Sequence, residues 1–108
     1  MQDLDVEEAW VLMMNQNFKL IKAEPLSHGG ITETAVDVRL IIKKALLNNA
    51  TIIALCHNHP SNNPTPSKQD DQLTLNVKKA CDVMRLFFMD HIIVTDGHYY
   101  SYHDKGRL

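Results

Sequence analysis

Residues 51–71 read TIIALCHNHPSNNPTPSKQDD and mark a transition from strand to helix. The first seven residues are a short apolar run that begins with β-branched side chains, which predicts a central strand. Prolines at positions 60, 64 and 66 follow, and they stiffen the connection. From residue 67 to about residue 86 the sequence contains no Gly or Pro and repeats apolar residues at helical spacing, so we expect one amphipathic helix there.

The sequence on either side of this unit predicts further strands and one more helix. AWVLMM (residues 9–14) and FKLIKAEPL (residues 18–26) predict two strands paired as a hairpin. Residues 36–48 predict a helix that Thr34 or Asp37 caps. Residues 88–102 predict two strands joined at Asp96-Gly97, a strong hairpin turn signal. The order ββ-α-β-α-ββ predicts an α/β fold: a single domain over residues 1–108, with a mixed β-sheet flanked by helices.

Composition and charge describe an ordinary globular domain. The 108 residues are 44% hydrophobic and 22% charged, with a formal net charge of -2 and no long basic run. Charge therefore gives no support to a nucleic-acid partner. No stretch approaches about 18 consecutive apolar residues, so we expect no membrane partner. Cys56 and Cys81 lie in apolar periodic segments, which is typical of reduced core thiols, and the N-terminus is acidic, so we expect a cytoplasmic protein.

Two histidines share one face at the end of the predicted central strand. Because alternate strand residues point to the same side, His57 and His59 project together, whereas Cys56 and Asn58 project the other way. The apolar stripe of the following helix places Asp70 on the side that faces the sheet. An ionised carboxylate facing a core needs a partner, which a metal held by two imidazoles supplies. Two His and one Asp leave zinc with an open fourth position, as in catalytic sites.

A structural alternative explains part of the same pattern. Ser67 and Asp70 form a Ser-x-x-Asp pair that can cap the helix, with Asp70 in place of the usual Glu. Thr65, which precedes Pro66, can equally be the N-cap, and this would free Ser67 for chemistry. The residues alone leave both alternatives open.

The spacing His57-x-His59, seven residues, Ser67, two residues, Asp70 resembles the H-x-H-x7-S-x2-D motif of the JAMM (JAB/MPN-type) zinc metalloproteases. HNHPS at residues 57–61, followed by PTPS at residues 64–67, resembles the RadC branch of that group. The resemblance extends over nearly the whole chain and includes Arg39, Thr74 and the DHI at residues 90–92. It implies a JAB/MPN-type fold with a cytidine-deaminase-like three-layer architecture.

The resemblance also implies a function and a mechanism. The chain looks like a zinc-dependent metallopeptidase or isopeptidase of a protein or peptide substrate, with Zn²⁺ held by the two histidines and Asp70. The general base of JAMM enzymes is a Glu just before the first core strand, which matches Glu7. Glu8 is the alternative, because a one-residue slip moves a side chain to the other face. Ser67 would orient the water or stabilise the oxyanion.

Two other functions compete with this interpretation. RadC proteins have a traditional association with DNA repair, which makes a nucleic-acid-associated accessory module without protease activity the main alternative. The sequence begins directly at the catalytic-type domain, so we expect no helix-hairpin-helix region upstream. A metal-binding pseudoenzyme is a further alternative, although the intact motif disfavours it. No H-x-E…P-C-x-x-C pattern is present, which disfavours a zinc deaminase.

Other polar residues receive structural or secondary roles. We expect His91 to be a structural, hydrogen-bonding histidine of a buried strand, and Cys56 to be a core residue that faces away from the metal. Glu24 remains a distant candidate for the base.

Overall fold

The computed structural model describes residues 7–28 and 36–108. Within these ranges the chain forms, in order, β1 (Glu8–Met14), β2 (Leu20–His28), α1 (Val38–Leu47), β3 (Ile52–Asn58), α2 (Lys68–Met84), β4 (Phe87–Thr95) and β5 (His98–Ser101). The order ββ-α-β-α-ββ is confirmed, and the element boundaries differ from the predicted ones by at most two residues. Neither of these two helices combines the length and the apolar character needed to cross a bilayer.

The five strands form one mixed sheet in the order β2-β1-β3-β4-β5. β1 pairs antiparallel with both β2 and β3, β3 pairs parallel with β4, and β4 pairs antiparallel with β5. The parallel β3–β4 pair requires a crossover connection, which α2 provides. The predicted central strand is therefore confirmed as β3, and the α/β class with a mixed sheet is confirmed with it.

Side-chain alternation separates the two faces of the sheet. One face carries the main core cluster, to which both helices contribute; its members include Val11, Met13, Ile41, Ala45, Ile53, Leu55, Val77 and Cys81. The opposite face carries a smaller cluster of Met14, Ile52 and Ala54, with Leu12 and Met89 packed against it. Both helices of the described ranges therefore lie on one face of the sheet. Residues 7–28 and 36–108 supply no helix on the opposite face, which the expected third layer would require. Odd-numbered residues of β1 and β3 face the helices.

Two local signals act as the sequence predicts. The Asp37 carboxylate accepts a hydrogen bond from the backbone N–H of Arg39 at 2.9 Å and caps α1. Thr34, the other candidate cap, lies outside the described residues. Asp96 and Gly97 form the two-residue turn between β4 and β5, and Gly97 adopts φ +83°, a backbone conformation that favours glycine. The hairpin is confirmed.

The main core cluster yields a first prediction. Ile53, the second residue of β3, is 0% exposed, so Ile53→Ala is expected to lower the free energy of unfolding by ~2–5 kcal/mol. Leu47→Ala is a matched control, because Leu47 is 72% exposed at the end of α1, and it should change stability by about 0.5 kcal/mol or less. Urea denaturation followed by circular dichroism measures both values. Equal losses would contradict this assignment of the core.

Candidate metal centre

Two imidazoles meet at the carboxyl end of β3. The Nε2 atoms of His57 and His59 lie 3.1 Å apart, on the same side of the strand, as side-chain alternation predicts. His57 is buried, and His59 is partly buried just beyond the strand. The backbone N–H of His59 donates to the carbonyl oxygen of Val94 at 2.9 Å, and its Nδ1 lies 3.2 Å from the Asn63 carbonyl oxygen. These contacts extend the strand geometry to His59 and orient its ring.

Asp70 brings a buried carboxylate to the same point from the first turn of α2. The side chain is 0% exposed; Oδ2 lies 3.1 Å from His59 Nε2, and Oδ1 lies 3.2 Å from His57 Nε2. Burial acts to raise the pKa of Asp70, but its contacts with the His57 and His59 rings outweigh burial and hold that pKa well below its usual range. The hydrogen bond with Asp70 in turn raises the pKa of His59 above its ordinary value. The carboxylate is therefore ionised at neutral pH.

The three groups have the spacing of ligands around a small cation. A tetrahedral zinc with bonds of roughly 2.0–2.1 Å needs neighbouring ligand atoms roughly 3.3 Å apart. The two Nε2 atoms are 3.1 Å apart, and each ring has its own Asp70 oxygen at a similar distance: Oδ2 is 3.1 Å from His59 Nε2 and Oδ1 is 3.2 Å from His57 Nε2. In addition, Asp70 Oδ1 is buried and accepts no hydrogen bond of adequate geometry from the described residues, although His57 Nε2 is close to it. A buried ionised oxygen without a donor is costly, and a cation at the centre of the three groups removes that cost.

Strand register brings Glu7, rather than Glu8, to this centre. Ala9 is the partner of His57 across β1 and β3, and two residues earlier Glu7 lies on the same side of the sheet. Its Oε1 is 3.8 Å from His59 Nε2, and the ligand atoms of Glu7, His57 and His59 all lie within 4.8 Å of one another. The Glu8 carboxylate is on the other face, where it accepts a hydrogen bond from Trp10 Nε1–H at 3.1 Å. The alternative with Glu8 at the site is therefore not the one that the structure adopts.

Ser67 is the N-cap of α2, and the predicted capping box is present. Ser67 Oγ accepts the backbone N–H of Asp70 at 3.0 Å, and the backbone N–H of Ser67 donates to Asp70 Oδ2 at 2.9 Å. The alternative with Thr65 as N-cap is wrong, so Ser67 is not released from the helix terminus. The cap uses the serine oxygen as an acceptor only, which leaves its hydroxyl hydrogen available for donation. Capping also holds Asp70 in the rotamer that faces the histidines.

His91 contacts the centre from β4. Its Nε2 lies 2.8 Å from His57 Nδ1, and its Nδ1 lies 2.6 Å from Thr74 Oγ1. Burial lowers the pKa of His91 to about 3, so the ring is neutral. His91 is thus the hydrogen-bonding histidine that the sequence predicts, but its bond to a candidate ligand was not predicted. The sequence signal for this contact is Asp90-His91 in a predicted buried strand.

The remaining candidates lie elsewhere. Cys81 is fully buried in the core, as predicted, whereas Cys56 is only partly buried on the face away from the helices. Burial raises the pKa of both thiols, which keeps them protonated and unreactive. The Glu24 carboxylate forms an ion pair with Lys44 at 3.0 Å and accepts a hydrogen bond from Asn48, so it serves to join β2 to α1.

Fold and geometry together define a class: α/β domains with imidazole and carboxylate groups converging at the end of a central strand. Within that class, comparison with protein families matches residues 1–107 to the family described as RadC-like JAB domain. The chain belongs to this family, which confirms the resemblance carried by the His57–Asp70 motif.

Several curated relatives share extensive identity with the chain. The UPF0758 protein of Porphyromonas gingivalis is 50% identical over 107 residues, which cover 98% of this chain and 47% of the relative. The UPF0758 protein of Flavobacterium johnsoniae is 46% identical over 104 residues, covering 96% and 45% respectively. That of Symbiobacterium thermophilum is 34% identical over 108 residues, covering 100% and 46%. The chain spans about half the length of these relatives, and their names state no reaction.

Proposed function

We propose that the chain is a zinc-dependent metallopeptidase or isopeptidase domain that hydrolyses a peptide or isopeptide bond in a protein or peptide substrate. The observation that carries this proposal is Asp70 Oδ1, a buried oxygen 3.2 Å from His57 Nε2 that accepts no hydrogen bond from the described residues. Without a cation this arrangement leaves an ionised oxygen unsatisfied, and with one it is stable.

His57, His59 and Asp70 would hold the zinc, and Glu7 would stay outside the coordination sphere. Asp70 is fully buried and lies about 3 Å from both rings, whereas the Glu7 side chain is 15% exposed and 3.8 Å from His59. Three protein ligands leave one position open, which is the arrangement of catalytic rather than structural zinc sites. When bound, zinc lowers the pKa of a water ligand towards neutrality and polarises a substrate carbonyl.

Glu7 and Ser67 would carry the proton transfer and the oxyanion contact. Glu7 stands at the rim of the centre, so its carboxylate can accept a proton from the attacking water and return it to the leaving nitrogen. The hydroxyl hydrogen of Ser67 is not used by the capping box, so it can be donated to the oxyanion, a contact typically worth ~3 kcal/mol.

The small cavity beside these residues lacks the cations that a nucleic acid would need. Its lining includes Glu7 and His57 at the polar end and the apolar side chains of Trp10, Leu26 and Leu73. None of its ten lining residues is Lys or Arg, so this pocket offers no cation to a phosphate. The net charge of -2 points the same way. Support for a nucleic-acid-associated accessory module is correspondingly weaker.

Metal content is the first test. Protein purified without added metal is expected to hold about one zinc per chain, measured by inductively coupled plasma mass spectrometry, and His57→Ala/His59→Ala is expected to hold almost none. His98→Ala/His103→Ala is the matched control, because it also removes two histidines, both of them exposed and neither of them a proposed ligand. Unchanged zinc in the His57→Ala/His59→Ala variant would overturn the ligand assignment.

Hydrolysis is the second arm of the same test. Zinc-loaded protein is incubated with a pool of peptides and isopeptide-linked conjugates, and chelated protein serves as the control. Cleavage by the loaded protein alone supports the proposal. Tight binding to duplex DNA, with no conjugate cleaved, would favour the accessory module.

A further inference from the structure

His91 is a fully enclosed imidazole with a partner at each nitrogen. It lies in β4 beside Leu55 of β3 and is 1% exposed. Its Nε2 faces His57 Nδ1 at 2.8 Å and its Nδ1 faces Thr74 Oγ1 at 2.6 Å, so the ring joins α2 to β3. Tyr102 stacks on the ring with centroids 5.1 Å apart and an interplanar angle of 10°, which fixes its plane.

The hydrogens of this chain of contacts can run from His57 to Thr74 or from Thr74 to His57, and a metal on His57 Nε2 requires the first direction. The Thr74 hydroxyl donates to the backbone carbonyl oxygen of Asp70 at 2.8 Å, so its oxygen is left to accept. In that direction His91 carries its hydrogen on Nδ1, donates to Thr74, and presents an unprotonated Nε2. His57 must then donate from Nδ1 to His91, which leaves the lone pair of His57 Nε2 directed at the centre.

We propose that His91 is a positioning residue that holds His57 in the tautomer with a free Nε2, through the Thr74–His91–His57 chain. This inference rests on the proposed function, because a free Nε2 matters only if it binds a metal. An acceptor that takes the second N–H of a metal-binding histidine fixes the ring and raises its basicity. Such acceptors are typically carboxylates, backbone carbonyls or water; here a second imidazole has that place.

The same chain of contacts also joins two proposed ligands. Thr74 lies one helical turn after Asp70, and its hydroxyl bonds the Asp70 carbonyl while accepting from His91. Displacement of α2 along its axis would therefore disturb both Asp70 and the donor–acceptor chain to His57. We infer that these hydrogen bonds hold His57 and Asp70 in a fixed position relative to each other.

Zinc affinity separates this role from simple packing. His91→Leu fills the space without an acceptor and is expected to weaken zinc binding by about 10- to 100-fold in competition with a chromogenic chelator. His91→Gln supplies an amide oxygen to His57 Nδ1–H and should recover most of the affinity. Ile93→Val, which removes a buried methyl two residues along the same strand, should leave affinity unchanged.

The outcomes distinguish the inference from the function it rests on. A wild-type chain that binds no zinc would overturn the proposed function and this inference with it. Zinc bound equally tightly by wild type and His91→Leu would overturn the inference alone, as would equal losses in the Leu and Gln variants.

Nitrogen-15 NMR of the wild-type rings gives a test that needs no variant. In the zinc-loaded protein, long-range ¹H–¹⁵N correlation spectra are expected to show His57 and His91 both protonated at Nδ1 and unprotonated at Nε2. Either ring protonated at Nε2 would contradict the proposed chain.

Discussion

Glu7→Gln is expected to retain both the fold and the zinc while losing hydrolytic activity by about 10²- to 10⁴-fold. The amide has nearly the size of the carboxylate but cannot take a proton from water. Glu7 stands 3.8 Å from His59 and outside the three closest contacts, so its replacement leaves the proposed ligands intact. The measurement is cleavage of the substrate identified in the conjugate pool, at matched zinc content.

Glu8→Gln is the matched control for this variant. Glu8 is the next residue along the chain, but its carboxylate accepts from Trp10 on the opposite face of the sheet. Its replacement should leave activity close to wild type. Loss of activity in Glu8→Gln with full activity in Glu7→Gln would mean that the register is off by one, and full activity in both would exclude a JAMM-type mechanism.

Asp70→Asn is expected to act on the metal itself and to lower zinc affinity by at least about 10²-fold, beyond the range for residues that only support a ligand. Asparagine keeps the size of the side chain and can still accept the Ser67 N–H, so the helix cap is preserved. What it removes is the negative charge beside His57 and His59. Competition with a chelator measures the change, and circular dichroism verifies the helix.

Asp71→Asn provides the control for charge at the start of the helix. Asp71 is the neighbouring carboxylate, but it accepts from Tyr102 Oη–H at 2.7 Å and pairs with Arg107 at 2.8 Å. Its neutralisation removes one unit of negative charge from the same turn of α2 without touching the centre. Equal zinc affinities in Asp70→Asn and Asp71→Asn would falsify the assignment of Asp70 as a ligand.

Strand β3, helix α2 and the side chains that converge between them could be predicted, because they depend on short-range periodicity. The apolar run of residues 51–57 indicated β3, alternation put His57 and His59 on one side, and helical phase turned Asp70 towards the sheet. Each of these inferences needs only the residues of one strand or of one or two helical turns. They account for the main geometry of the candidate centre.

The choice between Glu7 and Glu8 could not be made from the residues, because both faces of β1 are apolar. In the structure Glu7 is at the centre and Glu8 is not, because the helices of the described ranges cover only the face of the odd-numbered residues. For the same reason Cys56, expected in the core, is only partly buried on the other face.

The contact between His91 and His57 depends on a register that sequence does not reveal. The pairing of β3 with β4 shifts between Ile53 and Ala54, so that Ile53 pairs with Phe88 and Ala54 pairs with Asp90. An unshifted register would move His91 by one residue and turn it to the other face. Irregularities of this kind are set by tertiary packing rather than by local propensity.

The centre draws its groups from β1, β3, α2 and β4, and this origin decides when during folding it can exist. Glu7 and His57 are separated by half the chain, and 34 positions separate His57 from His91. The entropic cost of closing loops of this length arises before the contacts at the centre can form and offset it. A bound ion therefore stabilises the finished sheet and hardly stabilises the partly folded states that precede it. It acts mainly by slowing unfolding, while the folding rate stays that of the metal-free polypeptide.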